Sequence, residues 1–275
     1  MPNVFVTNTY LSDIASAIRA KNGLSTLYKP TEMDAAIDAI NLSGSITADM
    51  VAEKTISGVV SGSVSFIGSC AFYGNPSLTG ASFPNCTSIG ASAFQSCSSL
   101  TSVSFPNCAS ISVAAFSGCA SLTVADFPNC TSVSNYAFNA CYSLMTVNLP
   151  NCTSIGGYVF YNCNKLTAVD FSNCISISAG TFSYCARLAT ISLPKCTFIS
   201  NSAFRNCYSL LSLYLNSVST VTTLSGTSAF YSTPIGGYTT STGGVYGSVF
   251  VPSSLYASFK TATNWTAISD RIVSV

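Results

Sequence analysis

The sequence predicts a repeat solenoid, mainly β with short helical turns, of about seven 22-residue coils between a helical N-terminal hairpin and a C-terminal cap. Three observations carry that expectation. Phe72, Phe94, Phe116, Phe138, Phe160, Phe182 and Phe204 recur every 22 residues without a slip. Leu78, Leu100, Leu122, Leu144, Leu166, Leu188 and Leu210 keep the same spacing. Twelve of the 13 cysteines fall on a finer grid of 11, from Cys86 to Cys207, and only Cys70 lies off it. A fixed period of roughly 20–50 residues is the mark of stacked architecture. Three columns in phase exclude coincidence.

Each coil can be built from its own residues. Cys97 opens CSSLTSVSFPN and Cys86 opens CTSIGASAFQS, so a coil consists of two similar half-turns. In the first, LTSVSF alternates as a strand that faces Leu100, Val103 and Phe105 inward. In the second, Ile89, Ala93 and Phe94 point back from the opposite wall. Pro84, Pro106, Pro128, Pro150 and Pro194 end the strand, because proline cannot donate to a ladder. The Asn-Cys after most of them turns the chain. One such coil is too short to bury its own Phe, Leu, Val and Cys, so neighbours must cover each other. In-register strands stack about 4.7–4.9 Å apart, which makes seven coils roughly 34 Å long.

The repeats set the boundaries: residues 46–231 form the solenoid, 1–45 the hairpin, and 232–275 a glycine-rich loop with the closing cap. In LSDIASAIRAKNGLSTLYKPTEMDAAIDAI, Ser12 caps a first helix bearing Leu11, Ile14 and Ile18, and Asn22-Gly23 ends it. Thr31-x-x-Asp34 opens a second helix with Met33, Ile37 and Ile40. The stretch from Gly226 to Gly247 interrupts the beat and reads as a loop, with a contact role open for Tyr238. VFVPSSLYASFKTATNWTAISDRI then supplies a strand and a short helix. Caps are needed because a bare end exposes apolar columns and an unpaired strand edge.

The segment CSSLTSVSFPNCASISVAAF resembles the BspA-like, surface-antigen class of leucine-rich repeats. That class reads Leu-x-x-Val-x-Leu-Pro, then Ile-Gly, then Ala-Phe-x-x-Cys, and the match runs over about residues 64–231. The resemblance implies a curved, right-handed, leucine-rich-repeat-like solenoid with a parallel sheet on its concave face. Phe in place of the usual strand Leu in four coils, and the second cysteine column, are departures. Residues 11–40 are similar to a short helical module at the start of phage and prophage tail-associated proteins. That likeness implies docking onto other virion proteins.

Composition limits the chemistry. Only 7% of residues are charged, against about 25% in a typical domain, and Ser, Thr and Asn supply the polarity. A net charge of +1 without a basic cluster argues against nucleic acid. No apolar run approaches the ~18 residues of a membrane span, and no basic amphipathic helix is present. Histidine is absent, which removes the usual general base and most triads and transition-metal sites. Asp126 and Asp170 share a strand column but sit two coils, about 10 Å, apart. No phosphate-binding glycine loop occurs. The expectation is therefore no enzyme, no cofactor and no metal site, since cysteine columns along an axis never converge as zinc requires.

Stacked thiols could still be bridged. Adjacent Cα atoms at about 4.8 Å fall within the roughly 4.4–6.8 Å disulfide window, but parallel Cβ atoms at that spacing exceed the ~3.8 Å mean. Cysteine also packs well as a small buried hydrophobe. The expected state is a set of reduced core ladders, among them Cys97, Cys119, Cys141, Cys163, Cys185 and Cys207.

Candidate binding residues are those outside the core columns. Tyr136, Tyr142, Tyr158, Tyr161, Tyr184, Tyr208 and Tyr214 concentrate in the later coils. Tyrosine offers a flat apolar face with a hydroxyl rim, suited to glycan or protein, although lone surface tyrosines are also ordinary. The outward strand positions Ser104, Asp126, Asn148, Asp170 and Tyr214 vary between coils, as a binding face or an unconstrained surface would. The expected function is adhesion or receptor recognition by a non-enzymatic component of a phage or prophage tail, contacting a host-surface glycan or protein. MPNVFVTNTYLSDIASAIRAK lacks secretory-signal features, which fits a virion location. A bacterial surface or secreted adhesin, and a structural subunit that assembles with its own copies as a fibre or decoration, are the alternatives.

Overall fold

A computed structural model describes residues 58–238 and 243–275, together with a two-residue strand at Ser45–Ile46. The helical hairpin read from residues 11–40 lies outside them. The chain is a solenoid built on two ladders of parallel strands. Longer strands at Gly58–Ser61, Leu78–Ser82, Ser102–Ser104, Val124–Asp126, Thr146–Asn148 and Ala168–Asp170 form a first sheet of six. Thr190–Ser192, Ser212–Tyr214, Ser248–Val251 and Ile272–Ser274 form a second sheet of four. On the opposite wall, two-residue strands such as Ser88–Ile89, Ser110–Ile111 and Ser132–Val133 make a second ladder. Pairing keeps equal positions opposite each other, Val103 on Ala125, Ala125 on Val147, Val147 on Val169.

Six and four long strands make ten turns, more than the seven coils expected from the columns. The additions lie at the ends, where Gly58–Ser61, Ser248–Val251 and Ile272–Ser274 extend the ladder without the Phe and Cys signature. Backbone hydrogen bonds carry a parallel ladder whatever the side chains are, so terminal turns need not repeat the pattern. The stretch from Gly226, read as a loop, also begins with a further half-turn. Thr227–Phe230 forms a 3-10 turn, and Phe230 stacks on Phe204 at 5.6 Å.

Phenylalanine organises the interior. Phe94 stacks on Phe72 at 4.9 Å and on Phe116 at 5.1 Å, and the column continues through Phe138, Phe160, Phe182 and Phe204. The strand column, Phe83, Phe105 and Phe127, meets it edge-on, with Phe94 and Phe105 at 66°. The far end is closed by Trp265, fully buried against Phe230 and Phe259, with its indole Nε1–H donating to the Thr222 carbonyl at 2.7 Å.

Both ladders are interrupted at one level, between Ala168–Asp170 and Thr190–Ser192 and between Ser154–Ile155 and Ser176–Ile177. These coils carry Val159 and Thr181, fully buried, where the others place Ala71, Ala93, Ala115, Ala137 and Ala203. The coils nevertheless stay in contact, with Phe160 N–H donating to the Thr181 carbonyl at 2.8 Å and Phe160 stacked on Phe182 at 5.5 Å. Hydroxyls add to the backbone bonds across the seam, Ser178 Oγ donating to the Ile155 carbonyl at 2.7 Å and Thr181 Oγ1 to that of Gly156 at 3.3 Å.

The two cysteine columns have distinct roles. Cys97, Cys119, Cys141, Cys163, Cys185 and Cys207 each donate from Sγ to the carbonyl of the core phenylalanine 25 residues earlier, at 2.9–3.2 Å. Cys86, Cys108, Cys130, Cys152, Cys174 and Cys196 donate to the carbonyl two residues ahead, closing the turn after the strand. Asparagines after the prolines add rungs, Asn107 Nδ2 to the Pro84 carbonyl at 2.7 Å and Asn129 to that of Pro106 at 2.8 Å. The twelve column cysteines are buried and in no disulfide, whereas Cys70 is exposed. A native-state titration with a chromogenic disulfide reagent should therefore detect Cys70 alone, rising to all 13 thiols in denaturant without reductant. A denatured count well below 13 would refute the free-thiol ladders.

Candidate recognition surface

The sequence candidates divide between two faces. On the long-strand face, register aligns Ser104, Asp126, Asn148 and Asp170, and further along Ser192, Tyr214 and Phe250. Most of this column serves the solenoid itself. Asn148 Nδ2 donates to Asp126 Oδ1 at 2.8 Å. Asp170 Oδ1 accepts from the Ser172 amide at 3.0 Å and from its hydroxyl. Ser172 stands where neighbouring coils have proline, so the Asp170 carboxylate closes, as an Asx turn, the bend that proline makes elsewhere. The Tyr214 ring stacks on Phe250 at 4.6 Å.

The second face runs along the corner formed by the Ala-Phe half-turns. Tyr136 stacks on Tyr158 at 5.4 Å, Tyr158 meets Tyr161 edge-on at 5.9 Å, and Tyr161 meets Tyr184 edge-on at 5.4 Å. Beyond them Tyr208 packs on Tyr238 at 5.5 Å. Partial burial, then the nearby Tyr184 and Tyr238 phenols, push Tyr208 up, while Arg205 pulls the other way. These residues make a belt of rings crossing the coils obliquely. Tyr142 stands apart, exposed at Tyr208's coil position three coils earlier.

Backbone geometry explains how the rings are held outward. Each Ala-Phe half-turn carries two left-handed residues four apart, such as Ser92 and Ser96, Ala114 and Gly118, or Ser202 and Asn206. Three belt tyrosines occupy these positions, Tyr136 at φ 60°, Tyr158 at 56° and Tyr184 at 64°. The conformation aims their amides at the next coil, Tyr136 N–H to Gly157 O, Tyr158 N–H to Ala179 O and Tyr184 N–H to Arg205 O, at 2.8–3.0 Å. A non-glycine residue there costs about 1–2 kcal/mol, and a bulky one is unusual. Gly180, also left-handed at φ 62°, makes room for the belt, because a Cβ there would overlap the Tyr158 ring.

Gly180, Arg205 and Tyr231 were not among the sequence candidates. The Arg205 guanidinium lies 4.9 Å from the centre of the Tyr231 ring. Their signal was present, since Tyr161, Arg205 and Tyr231 each follow a core phenylalanine directly. Among the described residues, no group of three or more Cys, Asp or Glu converges as a metal would require.

Ten parallel turns, two phenylalanine columns and an exposed ring-lined corner define a leucine-rich-repeat solenoid, a class of scaffold that generally works without catalysis. The chain belongs to the BspA type leucine rich repeat region family, which matches residues 54–142 and 109–235 in six copies. The leucine rich repeat protein of T. pallidum is 27% identical with a TM-score of 0.55, over 61% of this chain and 83% of that one. A leucine-rich repeat protein from Bacteroides ovatus is 26% identical with a TM-score of 0.54, over 64% of this chain and about half, 52%, of that one. Toll in the Drosophila Toll–Spatzle complex, at 14% identity and a TM-score of 0.52 over 84% of this chain and 33% of that one, shares the fold alone. None of the curated proteins compared matches the chain.

Proposed function

We propose that this solenoid is a non-enzymatic recognition protein of a phage or prophage tail, contacting a host-surface partner through its tyrosine belt. The observation that carries the reading is the unbroken ring contact from Tyr136 through Tyr158 and Tyr161 to Tyr184, with three of the four on left-handed backbone. Cysteine, serine, alanine, asparagine or glycine holds such positions in other coils, each with a smaller side chain than tyrosine. Strain kept at bulky exposed residues marks a functional constraint. Attachment to the tail rests on the resemblance of residues 11–40, and a bacterial surface adhesin would use the same belt.

Gly180→Ala tests the belt without deleting any of its rings. The added methyl displaces Tyr158 and adds about 1–2 kcal/mol of left-handed strain, so host binding should fall at least about tenfold, the equivalent of roughly 1.4 kcal/mol. Circular dichroism should stay native. Ser202→Ala, at the same coil position but without a ring against it, should bind as the parent does. Unaltered binding by Gly180→Ala and by a Tyr158→Ala, Tyr184→Ala double variant would remove the belt from consideration. Electron microscopy of labelled native particles separates tail from cell-surface location.

A further inference from the structure

We infer that the partner of the belt is an anionic polysaccharide, whose sugar rings lie on Tyr184, Tyr208 and Tyr238 and whose carboxylates or phosphates are held by Arg187 and Arg205. This deepens, and rests on, the reading of the belt as the recognition surface.

The charges of the solenoid are few and unevenly placed. Among the described residues up to 238, the cations are Lys165, Arg187, Lys195 and Arg205, and the acids are Asp126 and Asp170. All four cations fall in the coils that carry the later belt tyrosines. Both acids lie on the strand face, engaged by Asn148 and by Ser172. Lys195 is taken up by Asn173 Oδ1 at 2.6 Å. Lys165 and Arg187, both exposed, hold the same position on adjacent coils, two residues after Cys163 and Cys185. Coils about 4.8 Å apart bring these like charges together, and like charges directly opposite are destabilising. The one ion pair among the described residues, Arg271 with Asp270 at 3.2 Å, is elsewhere. An external anion relieves that repulsion.

Arg205 is set for the same task. Its guanidinium lies over Tyr231, which orients the plane while leaving the side chain exposed. A guanidinium fork matches carboxylate and phosphate bidentately, and its planar form loses little freedom on binding. Tyr208 packs on Tyr238 at 5.5 Å and lies within electrostatic reach of Tyr184 and Arg205, so ring faces and cation share one patch. Four cations are too few for the many phosphate contacts of a nucleic acid site. A chain that repeats a flat ring and an occasional negative group meets successive coils in register.

The test uses the full chain against immobilised polygalacturonate and a polyol-phosphate teichoic polymer, which separate carboxylate from phosphate recognition. Dextran, poly-glutamate and single-stranded DNA are the comparisons. Binding to at least one anionic glycan is expected, weakened about 10–100-fold by Arg205→Gln or Arg187→Gln, the loss for one hydrogen-bonded charge. Added salt should weaken it further. Arg205→Lys should retain part of the affinity. Equal binding to dextran, indifferent to both arginine variants, overturns the anionic assignment while leaving the belt in place if Gly180→Ala abolishes it. Poly-glutamate or DNA binding as tightly as the glycans overturns the polysaccharide class. So does a Gly180-sensitive attachment to host cells with no glycan bound at all.

Discussion

Raising the pH from neutral to about 10.5 should unfold the solenoid cooperatively, because its core contains stacked thiols that burial keeps protonated. Desolvation pushes Cys130 and Cys196 to about 11 and Cys152 and Cys174 to about 12, and carries Cys119, Cys141 and Cys185 far above the ordinary range. Neighbours in the same column add to the effect, since Cys152 would acquire its charge beside Cys174 and Cys130. Unfolded thiols titrate near about 8.5. Below that value both states hold their protons, and the contribution of the core is complete. Above it the unfolded chain releases protons that the folded chain retains, so stability falls by about 1.4 kcal/mol per pH unit for each thiol. Cys130, Cys152, Cys174 and Cys196 alone would set a slope of about 5–6 kcal/mol per pH unit. A whole domain has only about 5–15 kcal/mol in hand. Urea unfolding midpoints measured from neutral pH to about 10.5 should therefore drop steeply above pH ~9. Alanine at those four cysteines should flatten the slope while lowering the starting stability. A midpoint that stays level across the range would contradict the buried thiol ladders.

Phe116→Ala should be the most damaging single truncation of the core, costing about 3–5 kcal/mol. Phe116 is fully buried and stacked on Phe94 at 5.1 Å and Phe138 at 5.2 Å, with Phe105 edge-on at 6.2 Å and Phe127 at 5.7 Å. Aromatic pairs contribute about 0.5–1.5 kcal/mol each beyond the area they bury, and this substitution removes several together. Stability in a solenoid is a sum of nearest-neighbour terms. A gap in the middle therefore weakens the coupling between the coils on either side, and a second unfolding step should emerge. Phe72→Ala is the comparison, because among the described residues Phe72 has a ring above it, Phe94 at 4.9 Å, and only the wider contact with Phe83 at 6.4 Å besides. It should cost measurably less. Equal losses for the two variants in urea titrations would show that the columns do not act by stacking.

The period of the solenoid and the identity of its core were legible because equal side chains at equal intervals can only be equal places in a stack. Phe94, Leu100 and Cys97 are all fully buried, as their columns require. The terminal turns were hidden, since Gly58–Ser61 and Ile272–Ser274 join the ladder with Val60 and Ile272 against the core but without the repeat's Phe, Leu and Cys. The role of Asp170 needed only the missing proline beside it, a signal present in FSNC but outweighed by the outward position of the residue.

By itself the sequence determined the period, the inward columns and the tyrosines left outside them, because side-chain burial obeys the repeat. Only the tertiary structure decided which of those tyrosines touch, how Gly180 admits Tyr158, and that Asp126, Asn148 and Asp170 serve the sheet. Rings at 136, 158, 161 and 184 share no single interval, and they meet because left-handed corners swing them across coils whose spacing the backbone ladder sets.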